Sequence, residues 1–481
     1  MADFINPFWC SGPVYAKEHK SCVWRKGVIE KITRYLKEGK YVQLIGPHQS
    51  GRTTLAIQLC EHLGGKRELA LMPVLISCGG LPSENQEAFA ATLAERLQEV
   101  ADAFLTARHA KNVNTRLQDP VRKDLYDLYK ALRDVGSEVV RPRAFVLVID
   151  ELETLSDTTV CDVLSFFRGL FENYAAERDV APYRVVILPT RDMQRWDLKG
   201  RSPFNIAEAL SLERFSKDEF ETFFDDDHVG GMPDKVPSFS GEARAVIFRE
   251  SGGNPYFVQR ICHAMVERAK DLHRRDDLSA KDALYACIVL FEHGDEKMKR
   301  LNHDILSDSE EWSLCEKLVS GLQVAYRGVQ TEVDRLAELG VVYDKEGFCD
   351  IPIGLYRRRL INRCYNERYP GLDFFFDDQE RLLLSYSPTQ AAVLNASVSR
   401  VIEENLASIE AASEPGEREK KILAIVEALA KDGTLEIDLK EVNAFLEYYG
   451  KDPLPNIDEL LRLIAKWFNI VIDRKKSLLL P

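Results

Sequence analysis

The residues best equipped for chemistry lie between Tyr41 and Thr54, in YVQLIGPHQSGRTT. Gly46 and Gly51 bracket Pro47, His48, Gln49 and Ser50, and Arg52, Thr53 and Thr54 follow. An apolar run suited to a buried strand leads in, and LAIQLCEHL, with helical apolar spacing, leads out. Strand, glycine-bounded loop and helix are what a phosphate-binding loop needs. Backbone N–H groups turn inward onto phosphate oxygens, and the positive end of the helix dipole reinforces them. Thr53, a hydroxyl directly after the basic residue, is placed to ligate Mg2+. The pattern GxxxxGK[ST] wants Lys where this chain has Arg52. Arg keeps the charge and grips phosphate, often bidentately, but it is longer, planar and forked. The expectation is nucleotide binding with slow hydrolysis or none. The plainer alternative is a glycine-rich turn with no ligand.

A second set of candidates lies downstream. AFVLVI, Ala144–Ile149, reads as a buried strand and ends in Asp150-Glu151. A carboxylate at a strand's C-terminal tip beside a phosphate loop is where a second Mg2+-directed acid belongs, here Asp150. Glu151 is the candidate to orient or deprotonate an attacking water. Acidic residues after a strand are also common surface punctuation. RVVIL, Arg184–Leu188, is another buried strand and runs into Pro189-Thr190-Arg191. Arg191 could sense a γ-phosphate there, or simply pair with a surface acid.

The elements that must position these residues alternate in type. VWRKGVIEKITRYLKEGK reads as an amphipathic helix, Leu71–Ser77 as a strand, Gln86–Phe104 and Asp157–Tyr174 as helices, and Ile206–Leu212 as the last strand. Residues 105–143 are polar, with one helical piece near Val121–Asp134, and read as a surface insertion. Alternating strands and helices imply a parallel sheet covered on both faces, with the ligand at the strands' carboxyl ends. From about residue 213 helices take over. A capping box at Ser216–Glu219 starts one, and Ser251-Gly252-Gly253-Asn254-Pro255 opens another. Helices at Glu310–Ser320 and Thr331–Gly340, a hairpin around Lys345-Glu346-Gly347 and a closing helix in LYRRRLINRC form a winged-helix pattern. Beyond an acidic, aromatic connector at 371–386 the tail reads as four helices and a terminal hairpin turning at Arg474-Lys475-Lys476. It fits a second winged-helix-like unit or a plain helical bundle with a strand pair.

At 481 residues, 45% apolar and 29% charged, the chain has material for several cores. A formal net charge of -13 argues against nucleic-acid or anionic-membrane binding by overall field, although a local basic patch such as Arg357-Arg358-Arg359 is compatible with it. The ten cysteines are scattered, with no CxxC pair, and read as reduced thiols in a cytoplasmic protein. The start lacks the layout of a signal peptide, and no apolar run approaches the ~20 residues that span a bilayer.

Taken in order, NPFWCSGPV, VWRKG, GPHQSGRTT, VLVIDE, VILPTR, SPFNIAEALSLERFSKDEF, SGGNPYF and IPIGLYRRRL resemble the signal-transducing ATPases called STAND proteins, within the AAA class. The resemblance covers roughly residues 5–365. It implies an α/β P-loop NTPase domain of the ASCE/AAA type at 1–212, a helical lid at 213–300, a winged helix at 301–369, and a mainly helical adaptor domain at 370–481. It also implies ATP or ADP with Mg2+ as ligands. Gly46, Pro47, Ser50, Gly51, Arg52, Thr53 and Thr54 would surround the phosphates and Mg2+. Asp150 would support the metal, Glu151 would serve hydrolysis, and Arg191 would be the sensor. Pro255 matches an element that touches the base from the lid, and Arg25 falls where the family often has an arginine near the nucleotide. Such proteins are switches: nucleotide locks the sheet domain, lid and winged helix together, and exchange opens them, often into oligomers. The expected partner is a protein effector reached through the C-terminal domain. Two other readings remain open. One is a DNA-binding ATPase resembling archaeal origin-binding or loader proteins, and the other is a pseudo-ATPase scaffold made inert by Arg52.

Overall fold

The computed structural model describes residues 6–117, 124–138, 144–174, 181–190, 204–225, 237–274, 277–292, 309–319, 323–326, 331–357, 359–360, 415–431 and 453–462, with the single positions 228, 409, 439 and 465. Arg191, the 371–386 connector, most of the tail's expected helices and the terminal hairpin at Arg474-Lys475-Lys476 lie outside the described residues.

Five strands form one parallel sheet: β1 (Tyr41–Ile45), β2 (Leu71–Ser77), β3 (Ala144–Asp150), β4 (Tyr183–Leu188) and β5 (Ala207–Ser211), in the order β2-β3-β4-β1-β5. The alternation in β3 shows why it is the centre of the core. Phe145, Leu147 and Ile149 join one apolar cluster, while Ala144, Val146 and Val148 join another on the opposite face. Both faces are covered, so the strand reads as an unbroken apolar run. On one side lie α1 (Lys26–Lys37) and α2 (Arg52–Gly65); on the other, α3 (Gln86–Phe104), α4 (Ala107–Leu117), α5 (Leu125–Glu138) and α6 (Asp157–Asn173). β4 sits between the strand of the glycine loop and the strand of Asp150. This is the α/β P-loop NTPase fold of ASCE/AAA type, in which the acidic strand is one place removed from the loop strand.

The surface insertion expected at 105–143 is corrected. The segment holds two helices, α4 and α5, and Ala110, Val113, Leu117, Leu125, Leu128, Leu132 and Val135 are buried in the core over α3 and α6. The apolar positions are sparse among charged ones but recur at helical spacing, enough for a narrow buried stripe.

Beyond β5 come α7 (Lys217–Glu221), α8 (Gly241–Ser251), α9 (Pro255–Asp271) and α10 (Ala280–Glu292), the helical lid. The winged helix follows as α11 (Ser309–Val319), α12 (Thr331–Glu338) and the antiparallel hairpin of β6 (Tyr343–Lys345) and β7 (Phe348–Asp350). Lid, winged helix and the buried residues of α13 (Pro415–Lys431) in the tail share one continuous apolar cluster. Two adjacent glycines let the turn before α9 approach the wing at Pro352 and the segment before α7 at Phe215. Gly252 and Gly253 both have positive φ; a Cβ on the first would strike the backbone at Pro352, and one on the second would lie 2.5 Å from the Phe215 carbonyl oxygen. Among the described residues no helix is long and apolar enough to cross a membrane, and the described cysteines are free thiols.

Candidate functional site

Register across the sheet sets the geometry. Ser77 lies opposite Asp150, and Asp150 opposite Leu188, so one row at the carboxyl edge holds all three. Each makes or anchors one contact of the site. The Thr53 hydroxyl donates to Asp150 Oδ2 at 2.6 Å. Arg52 Nη1 donates to the Leu188 carbonyl at 2.5 Å and to Glu153 Oε1 at 2.7 Å. The Ser77 hydroxyl donates to Glu151 Oε2 at 2.7 Å. The two expected metal-directed groups, Thr53 and Asp150, are therefore brought together.

Asp150 is only 1% exposed. Burial pushes its carboxyl above the usual range, while the Thr53 hydroxyl and the Arg52 charge work against that. A divalent cation would relieve the same cost. Glu151 stands in the left-handed region at φ 59°, which costs a non-glycine residue about 1–2 kcal/mol and turns its side chain sharply from the strand axis. Its carboxylate is held over the tip of β2 by Ser77 and lies against Gly79. Cys78 is next to Asp150, but burial raises its thiol to about 12, so it is not a nucleophile there.

The glycine loop is tightly folded and leaves polar groups unpaired among the described residues. A Cβ at Gly46 would lie 2.8 Å from Ser50 Oγ, 3.1 Å from Leu212 and 3.2 Å from Arg52. Ser50 is 3% exposed, and its hydroxyl has no partner among the described residues. α3, α6, α8 and α9 are capped by Asn85, Ser156, Ser240 and Asn254, but α2 begins on Gly51, at φ 88° and with no side chain to cap it. A helix leaves its first N–H groups without intrahelical partners. An orphaned buried hydroxyl, a cradle only glycine leaves open, uncapped donors and the Thr53–Asp150 pair fit a nucleotide's phosphates with Mg2+.

Three other segments converge on this loop. From the lid, Pro255 approaches Gly51, where a Cβ would lie 3.7 Å from its ring. From the winged helix, the Glu338 carbonyl accepts the His48 N–H at 3.1 Å, and Gly340 sits so close to Pro47 that a Cβ would meet it at 3.1 Å. From the N-terminal segment, the Val14 N–H donates to Thr54 Oγ1 at 3.0 Å. That segment also reaches α9: the Trp9 N–H donates to Gln259 Oε1, and Asn6 Nδ2 to Glu267 Oε1. Arg25 is buried, with Nε 2.8 Å from Glu219 Oε1 and Nη2 donating to the Glu213 carbonyl, and its guanidinium lies over Phe215. It ties the first helix to the lid; burial lowers its pKa against the pull of Glu219.

The site residues not singled out from sequence are Ser77, Glu153, Val14, Glu338 and Gly340. Glu153 carried a faint signal, as a further acid just past Asp150-Glu151. The others act through backbone groups or through contacts distant in the chain.

No protein-family model matches the chain, and no curated protein matches it. Solved structures do resemble it. Cdc6p from Pyrobaculum aerophilum is 14% identical over 75% of this chain and 100% of its own, with a TM-score of 0.40. The ORC1 protein of Aeropyrum pernix, solved in complex with DNA, is 12% identical over 72% and 94%, with a TM-score of 0.38. The ORC2 protein of Aeropyrum pernix, solved as ADPNP–ADP complexes, is 14% identical over 71% and 94%, with a TM-score of 0.41. The likeness is one of fold.

Proposed function

We propose that this chain is a nucleotide-governed switch of the STAND type, binding ATP or ADP with Mg2+ at the Gly46–Thr54 loop. The observation that carries the reading is convergence: the lid touches the loop at Gly51, and the winged helix touches it at Pro47 and His48. A ligand in the loop therefore bears on contacts that also set how three units sit, which is what a ligand-biased two-state element requires. The backbone N–H groups at the start of α2 and the Ser50 hydroxyl would hold phosphate, and Thr53 and Asp150 would hold Mg2+. The bound ion would neutralise phosphate charge and leave the terminal phosphorus open to water. Glu151 would orient that water once its carboxylate leaves Ser77, and its engagement there fits slow turnover or none. Signalling through a protein effector docked on the tail, and assembly of several chains, belong to the same reading.

The test is direct. The full chain, denatured after purification, should release an adenine nucleotide, and the stripped protein should bind MgADP. Hydrolysis, if present, should be abolished by Glu151→Gln. Protein that carries none and takes up none under any condition would reject the reading.

A DNA-acting ATPase is the second reading. Its support is the winged helix itself, the basic run that Arg357 begins, and an ORC1 protein solved in complex with DNA. Against it, α12 and the hairpin are acidic, with Glu332, Asp334, Glu338, Asp344, Glu346 and Asp350 against Arg335 and Lys345. A gel shift across a salt series decides: phosphate contacts would appear first at low salt, and no shift there removes this reading.

A further inference from the structure

We propose that Glu153 is an internal competitor for the nucleotide's phosphates: it holds Arg52 in a latched position that phosphate must break. The inference rests on the nucleotide reading above and names how the same site is regulated. Arg52 occupies the position whose side chain should meet phosphate, yet it is engaged elsewhere. Its Nη1 is 2.7 Å from Glu153 Oε1 and 2.5 Å from the Leu188 carbonyl oxygen. The pair is secluded, with the Arg52 and Glu153 side chains only 8% and 12% exposed. At such depth a carboxylate is a strong partner for a guanidinium, because little solvent screens it.

Three features make this a latch and not a chance surface pair. Glu153 sits in the short 3-10 turn Leu152–Thr154, braced behind Glu151 by the Thr154 N–H and hydroxyl, which both donate to the Glu151 carbonyl. Its second oxygen, Oε2, is buried with no partner among the described residues. A guanidinium also offers several donors in a fixed fork, so it can serve a carboxylate and a strand-tip carbonyl together, and a phosphate in their place. Carboxylate and phosphate thus present the same chemistry to Arg52, and binding either gives up the other. The Lys-to-Arg departure in the loop then acquires a purpose, a phosphate site whose resting state is closed by its own acid.

The experiment is a double-mutant cycle read by calorimetric titration of the full chain with MgADP and with the Mg2+ complex of a non-hydrolysable ATP analogue. Glu153→Gln keeps the shape and removes the charge, and should tighten both ligands about tenfold or more. Glu153→Asp keeps the charge, withdraws it by a methylene and should act in the same direction; it serves if the first variant folds poorly, as judged by circular dichroism. Arg52→Met should weaken binding, and adding Glu153→Gln to Arg52→Met should bring no gain. Unchanged or weaker binding in Glu153→Gln and Glu153→Asp would overturn the latch, weaker binding marking Glu153 as a supporter of metal or nucleotide. The same gain with and without Arg52 would also overturn it, since Glu153 would then merely repel phosphate. No binding by any variant, wild type included, would bring down both the latch and the nucleotide reading, whereas equal binding by all would bring down the latch alone.

Discussion

At the start of α9 the chain satisfies its own backbone; at the start of α2 it does not. Both helices follow a glycine turn, at Gly252-Gly253 and Gly51, and the two turns meet where Pro255 approaches Gly51. Asn254 caps α9, its side chain accepting the Tyr256 and Phe257 N–H groups, and Pro255 occupies a first-turn position where no N–H is needed. Gly51 offers α2 nothing of the kind, and the buried Ser50 hydroxyl beside it has no partner among the described residues. The same local grammar serves two ends. One turn is a closed joint that fixes lid to sheet and wing, and the other keeps unpaired donors that, on the proposed reading, an anion would take up.

The comparison can be broken at either helix. The largest effect is expected at the closed joint. Gly253→Ala forces a Cβ toward the Phe215 carbonyl oxygen in a left-handed residue and should cost about 3 kcal/mol or more, read by denaturant unfolding. Next, Thr53→Ala at the open turn should weaken MgADP about tenfold in calorimetry. Asn254→Ala should instead cost about 1 kcal/mol of stability with little effect on MgADP affinity. Should Asn254→Ala damage nucleotide binding as much as Thr53→Ala, the two helix starts would not differ in role.

The smallest effect concerns Asp150, and it carries a sign. Burial raises the folded-state pKa of this carboxyl above its unfolded value. The folded protein therefore holds a proton that the unfolded chain releases between those two values, and stability falls as pH rises through that window. Ligand-free Asp150→Asn should be more stable than the parent at neutral pH, and the gap should close as pH drops toward the ordinary Asp value. Mg2+ with nucleotide should close it too, but in the parent only. A variant less stable at neutral pH would show that Asp150 is not under this strain.

Much of this architecture could be read from the chain itself. The bounds of β1, β2 and α3 are those of the apolar runs, because a strand buried on both faces and a strongly amphipathic helix leave little choice. The loop, Thr53, Asp150 and Glu151 could be picked out because motif and strand tips are local. α4 and the burial of α5 were hidden by their charge, although a helical piece near Val121–Asp134 could be read, since a narrow stripe such as Ala110, Val113 and Leu117 is enough once α3 supplies the other wall. The pairing Arg52–Glu153 joins α2 to the turn after β3, Arg25–Glu219 joins the sheet domain to the lid, and both depend on long-range placement that no local pattern records. The same holds for Glu338 on His48, a backbone contact that any residue type could make.

The central claim is that occupancy of the loop and the seating of the winged helix are one equilibrium. Hydrogen–deuterium exchange of the full chain, stripped and then saturated with MgADP, tests it most directly. The account predicts altered exchange both in residues 46–54 and in residues 331–340, which share no covalent neighbourhood. Protection confined to 46–54, with 331–340 unmoved at saturation, would contradict it.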